Sequence, residues 1–183
     1  MAEHDEFERL YKEHVDGIFR FIKQILGNDD EAEELTAEVF FRAYRSLSKL
    51  RNPNRARAWL YRIAYNLCMD ELERRGKAVI VPLDEELKIA HPPAKGPSPQ
   101  DVLEEEEIAA WVREVLIRLS PGHRTALILG EVEGLSNREI AEVMGKSPAA
   151  VKSLRQRARK AFKREMLRLL EKHGLTLDDL LKT

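Results

Sequence analysis

The stretch Leu135–Phe162, LSNREIAEVMGKSPAAVKSLRQRARKAF, leaves few folds open to this chain. Ser136 is a good N-cap, and Glu139, three residues on, completes a capping box. Ile140, Ala141 and Met144 give an apolar face at helical spacing, and Gly145 offers a left-handed stop. Ser147 then caps a second helix with Pro148 in its first turn, where a missing N–H does no harm. Val151, Leu154, Ala158 and Ala161/Phe162 form the buried stripe of that helix. Small Ala141 permits close approach, so the pair reads as a helix-turn-helix, whose second helix enters a major groove. Charge agrees: from Lys146 to Lys172 there are ten Lys/Arg against two Glu. Such clustering favours a phosphate backbone through counterion release. Taken alone, a basic helix is often only a solvated face.

The rest of the chain is not basic. Net charge is −1, so its charge is segregated: Asp29, Asp30, Glu31, Glu33, Glu34 and Glu38 form one acidic run, and Asp101 with Glu104–Glu107 another. This asymmetry suggests different partners for different surfaces. A hydrophobic content of 43% supports real cores. A single Cys rules out an internal disulfide and fits a reducing cytoplasm, the expected location. No apolar run reaches the roughly 20 residues of a membrane span, and the acidic N-terminus does not read as a signal peptide.

The periodicity predicts an all-α chain of two small helical domains joined by a Pro-containing linker. Residues 1–76 read as a bundle. A first helix carries Phe7, Leu10, Val15, Ile18, Ile22 and Ile25 until Gly27-Asn28. A second begins in the acidic run, suited to a positive helix N-terminus, and breaks at Asn52-Pro53-Asn54. A third runs from about Arg55 to Arg75. Residues 77–101, with five prolines and no sustained period, read as the linker, Val79–Val81 as a short strand being the alternative. Helices resume over 102–173, one restarting at Ser120-Pro121 and ending near Gly134. Residues 174–183 form a tail with room for one more turn, either a frayed extension or a segment that docks back or recruits a regulator.

The third helix is apolar around most of its circumference. Its remaining window carries Arg55, Trp59, Arg62 and Asn66 at three- or four-residue steps, beside a loop supplying Arg51, Asn52, Asn54, Arg55 and Arg57. Cations, amides and an aromatic ring suit unstacked bases. An ordinary half-buried helix with a polar strip is the commoner reading of such residues, and Trp59 is more often core than a stacking platform. Scattered histidines and a lone Cys68 give no metal-ligand spacing, and no Gly-rich phosphate loop is present. No enzyme activity, cofactor or metal is expected.

The block EELTAEVFFRAYRSLSKLRNPNRARAWLYRIAYNLCMDELERR resembles the second conserved region of bacterial sigma factors. The block LSPGHRTALILGEVEGLSNREIAEVMGKSPAAVKSLRQRARKAF resembles their fourth. Two such blocks in order, with only a linker between, are similar to the extracytoplasmic-function (ECF) group. The resemblance implies a promoter-specificity subunit that binds core RNA polymerase through the β′ clamp helices and the β flap, and helps open the duplex. It implies polymerase contacts at Glu34, Leu35, Glu38, Phe41 and Tyr44, although Leu35 and Phe41 also suit a core. It implies that Arg51, Asn52, Asn54, Arg55, Arg57, Trp59, Arg62 and Asn66 meet the −10 element, with Asn66 holding a flipped base. For the −35 element it implies Lys152, Ser153, Gln156 and Arg157 at bases, and Arg155, Arg159, Arg138 and Asn137 at phosphates. An anti-sigma factor is a further implied partner. The chain departs from the common pattern at Ala37, where relatives often have Gln, and at Gly130, where they often have Arg. The rival readings are a freestanding helix-turn-helix regulator of a palindromic operator and an adaptor that binds polymerase but not promoters.

Overall fold

The computed structural model describes residues 2–50, 52–76 and 105–180. The expected linker, the alternative strand at Val79–Val81 and Arg51 lie outside the described residues. Eight α-helices run through the described residues, which contain no strand. Helix α1 (Ala2–Leu26) buries Ile18, Phe21, Ile22 and Ile25 and stops at Gly27, whose φ of +74° suits a residue without a Cβ. Asn28 caps α2 (Asp29–Ser46) by accepting from the Glu31 N–H at 3.0 Å, and Asp29, Asp30 and Glu31 sit at the positive end of the helix. The chain then makes two short 3₁₀ turns, Leu47–Lys49 and Pro53–Arg55, and enters α3 (Ala56–Arg74).

Helix α3 is largely enclosed, as its composition predicts: Leu60, Tyr61, Ala64, Leu67, Cys68 and Leu72 are buried. Burial pushes the Cys68 thiol far above its ordinary pKa, so it is a small apolar core group.

In the second module, α4 (Glu105–Arg118) packs on the far end of α7 (Pro148–Lys172) through Trp111, Val115, Met166, Leu169 and Leu170. Helix α5 (Pro121–Leu127) is capped by Ser120, as read from the sequence. It widens into a π-turn at Ile128–Val132, which the periodicity did not signal. Helix α6 (Asn137–Met144) begins with the expected capping box and ends at Gly145 with φ +64°. Lys146 N–H closes that end on the Ala141 carbonyl at 3.0 Å. The described part of the tail carries the short α8 (Leu177–Leu180), with Leu175 packed beside Leu170.

The two modules are not separate. One continuous apolar cluster runs from α1–α3 into α5–α7, with α3 lying against α6 and α1 against α4 and α5. Arg124, 6% exposed, ties them together. Its guanidinium donates to the carbonyls of Leu116 (2.7 Å), Ile117 (2.6 Å) and Leu119 (3.2 Å) around the end of α4. It also donates to the Ile25 carbonyl near the end of α1. A cation where two helix C-termini converge answers both sets of open carbonyls. Burial lowers its pKa to about 10, so it stays charged at neutral pH.

Candidate nucleic-acid and polymerase interfaces

Helix α7 turns Val151, Leu154, Ala158 and Ala161 inward, and Lys152, Ser153, Gln156 and Arg157 are all exposed. The capping of α6 and the αL turn at Gly145 fix the angle at which this outer row stands. Arg138 is exposed at the start of α6. Arg155 is different. Its side chain is 16% exposed and donates to Asn137 Oδ1 at 2.7 Å and Glu131 Oε1 at 2.8 Å. The guanidinium lies over Gly130, where a Cβ would stand 2.6 Å from it. A side chain at 130 and this pose of Arg155 are therefore mutually exclusive, a physical consequence of the Gly130 departure. Arg159 also reaches Glu131, at 2.7 Å. Hydrogen bonding from Arg155, with help from Arg159, holds the Glu131 carboxyl below the usual carboxylate range against the opposing effect of burial.

The α3 window divides in two. Arg55, Arg62 and Asn66 are exposed on one stripe, with Trp59 half-buried against the core between them. Asn52 Oδ1 accepts from the Asn54 N–H at 3.0 Å, which shapes the preceding loop and leaves both residues exposed. Arg55 donates to Glu142 Oε1 on α6 at 3.0 Å. Arg57 stands on the neighbouring stripe beside Tyr61, its guanidinium 5.9 Å from the ring centre, and donates to the Glu133 carbonyl.

On α2, Phe41 and Tyr44 are each 56% exposed, so Phe41 is a surface residue and not core. Leu35 is half-buried and packs against the core. Leu35, Phe41 and Leu67 line a shallow depression edged by Glu34, Glu38 and Arg42, the last two paired at 2.6 Å. An aromatic cluster supports its far end: Tyr44 meets Phe7 edge-on at 5.1 Å and Phe40 meets Tyr11 at 4.7 Å. An apolar centre with a charged edge of two acids and one arginine suits a partner surface of matching apolar core and polar rim.

Sequence reasoning missed Glu133, Arg20, Tyr61 and Arg124 as contacts between modules. Arg124 left a signal, being the only Lys or Arg from Pro121 to Gly130 in a mostly apolar run. Glu133 left none, since its burial depends on the π-turn and on the other module.

His123, beside α7, is half-buried, and burial first, then Arg157 and Arg164, push its pKa below 6.5. The folded chain therefore resists its protonation, and stability must fall as pH drops from about 6.5 through the depressed value. His14 shifts the same way through burial. Thermal melts over that window should show a slope that His123→Gln reduces and that a His14→Gln/His123→Gln double variant nearly abolishes.

A helix-turn-helix with a basic outer row, packed on a second helical module with its own cations, defines a protein of two modules that is helical throughout its described residues. Residues 10–78 match the family described as sigma-70 region 2, and residues 109–162 match sigma-70, region 4. The RNA polymerase sigma-H factor of Pseudomonas aeruginosa is 32% identical, over 90% of this chain and 88% of that protein. The ECF RNA polymerase sigma factors SigE of Mycolicibacterium smegmatis and BldN of Streptomyces coelicolor are 32% and 34% identical over 86% of this chain. The chain spans 60% and 59% of the length of those two relatives. It belongs to the ECF RNA polymerase sigma factor family. Similar folds include the sigma factor RpoE of Bartonella quintana, solved with the anti-sigma factor NepR (TM-score 0.68, 22% identity, 88% of this chain and 96% of that one). CnrH, solved with the cytosolic domain of CnrY, is similar at a TM-score of 0.63, with 22% identity over 88% of this chain and 87% of that one. No helix among the described residues is long and apolar enough to cross a membrane.

Proposed function

We propose that this chain is a promoter-specificity subunit: it binds core RNA polymerase, delivers it to −35 and −10 elements, and helps open the duplex. The observation that carries the reading is the outward row Lys152, Ser153, Gln156 and Arg157, set on a helix whose opposite side is sealed in the core. Gln pairs well with adenine and Arg or Lys with guanine in a major groove. Arg138 and Arg159 supply phosphate contacts, while Arg155, pinned to Glu131 and Asn137, chiefly holds α7 against α6.

Residues 1–76 form the polymerase and −10 module, 77–101 the linker, 102–173 the −35 module and 174–183 a tail. Asn66 on the exposed α3 stripe offers an amide donor and acceptor to a flipped base, and Arg51, Asn52, Asn54, Arg55, Arg57 and Arg62 track the strand. Trp59 braces the helix from the half-buried side. Glu34, Leu35, Glu38, Phe41 and Tyr44 grip the β′ clamp helices. RNA synthesis itself belongs to the polymerase, which places the chain in the cytoplasm, and an anti-sigma factor is a natural regulator of these faces.

Run-off transcription with purified core polymerase on a promoter library tests the reading. Transcripts that depend on this protein and share two spaced upstream elements support it. Failure to bind core, with tight binding to a symmetric duplex, would identify a freestanding regulator instead. Within the same assay, Phe41→Ala should weaken core binding about ten- to a hundredfold. Because Phe41 is exposed, its unfolding free energy should move by no more than about 0.5 kcal/mol.

A further inference from the structure

Where the modules meet, the Glu133 side chain is only 4% exposed. The Tyr61 hydroxyl donates to its Oε2 at 2.5 Å. Arg57 Nη2 stands 3.8 Å from Oε2, and Arg20 Nη2 stands 4.0 Å from Oε1, which accepts no hydrogen bond. Space for this arrangement comes from Gly17 on α1, where a Cβ would lie 2.8 Å from the Tyr61 oxygen and 3.5 Å from Glu133 Oε2. Two guanidinium groups and a phenol on α1 and α3 thus face Glu133 of the other module, whose main-chain carbonyl also accepts from Arg57. One loop away, Glu142 of α6 likewise engages Arg55. The C-terminal module therefore sets two carboxylates against two arginines of the α3 region.

We propose that Arg20, Arg57 and Tyr61 form an anion site of the N-terminal module, occupied by Glu133 in the closed chain and by a backbone phosphate of single-stranded promoter DNA once the modules part. The phosphate half rests on the promoter reading above. Carboxylate and phosphate oxygens take the same charge-assisted donors. The Glu133 carboxylate uses the two guanidinium groups incompletely, with both ion pairs long and one oxygen unbonded, so a phosphate able to approach each directly competes with it. Geometry requires the modules to part when both elements are bound. Elements named −10 and −35 lie about 25 base pairs apart, about 85 Å at 3.4 Å per pair. A compact chain of this size has a radius of gyration of about 16 Å and cannot touch both. Residues 77–104 give a covalent reach of up to about 95 Å, so the modules can separate, and separation withdraws Glu133 from the site.

The test uses the full chain, with small-angle scattering for size and anisotropy of a fluorescent oligo-deoxythymidylate for phosphate binding. Glu133→Gln should expand the free chain and tighten oligonucleotide binding about tenfold. Adding Arg20→Ala should return affinity toward wild type while the chain stays expanded. Expansion without tighter binding, or tighter binding indifferent to Arg20→Ala, would refute the phosphate site. A chain that stays compact with unchanged affinity would remove Glu133 as the controlling occupant. Arg20→Ala alone, at a residue 58% exposed, guards against a misfolded Glu133 variant: it must weaken oligonucleotide binding, and unchanged binding overturns the proposal. Run-off transcription run in parallel separates the two claims, because absence of promoter-directed transcripts sinks the promoter reading while the size measurement still judges Glu133.

Discussion

Replacing Arg124 by methionine is expected to destabilise the chain by about 3 kcal/mol or more. Methionine keeps most of the apolar stem, so the loss isolates the guanidinium. Without it, the carbonyls of Leu116, Ile117, Leu119 and Ile25 lose their shared donor. Each buried polar group left unpaired costs about 1–3 kcal/mol, less where water or local relaxation reaches it. Among the described residues no carboxylate pairs with this arginine; the negative ends of two helices face it. Lysine should recover only part of the loss, because a point ammonium cannot fork to four carbonyls. For a chain of this length, 3 kcal/mol corresponds to a fall in Tm of about 10 °C. Calorimetry of Arg124→Met and Arg124→Lys measures it, and a methionine variant as stable as wild type would contradict the assignment.

Charge reversal on the outer row of α7 should act on binding and leave folding alone. Lys152→Glu combined with Arg157→Glu is expected to reduce affinity for the −35 duplex about a thousandfold. Each lost base or phosphate contact costs about 1–3 kcal/mol, and two carboxylates add repulsion. The slope of log affinity against log salt should fall by about 2 if both residues meet phosphate. Both side chains point away from Val151, Leu154 and Ala158, so the melting temperature should hold. Arg155→Ala should do the opposite in part: it breaks the link from α7 to Glu131 and Asn137 and lowers stability along with binding. Duplex binding and thermal melts on the three variants separate these cases. Wild-type affinity in the double variant would remove α7 as the reading helix.

Much of this was legible because it is local. Ser136 with Glu139, Gly145, Ser147 with Pro148, and Ser120 with Pro121 settle helix ends by hydrogen bonds within four residues, and each stands where the sequence puts it. The apolar stripe of α7 follows from spacing alone and exposes Lys152, Ser153, Gln156 and Arg157 by default. Asn66 and Arg62 are exposed for the same reason, being the polar remainder of an otherwise enclosed α3. Phe41 was ambiguous because an aromatic ring suits a core and a partner surface alike. Only the packing of α2 on its neighbours leaves that ring outside.

The sequence by itself determined the helices, their caps, the outward polar row of α7 and the family, since these depend on short-range periodicity and on two motifs in order. The tertiary structure alone decided that the modules share a core, that Arg155 is held by Glu131 across Gly130, that Arg124 closes two helix ends, and that Glu133 is buried against Arg20, Arg57 and Tyr61. These contacts join residues up to 99 positions apart. Their energies come from burial and mutual orientation, which no local pattern of residue types encodes.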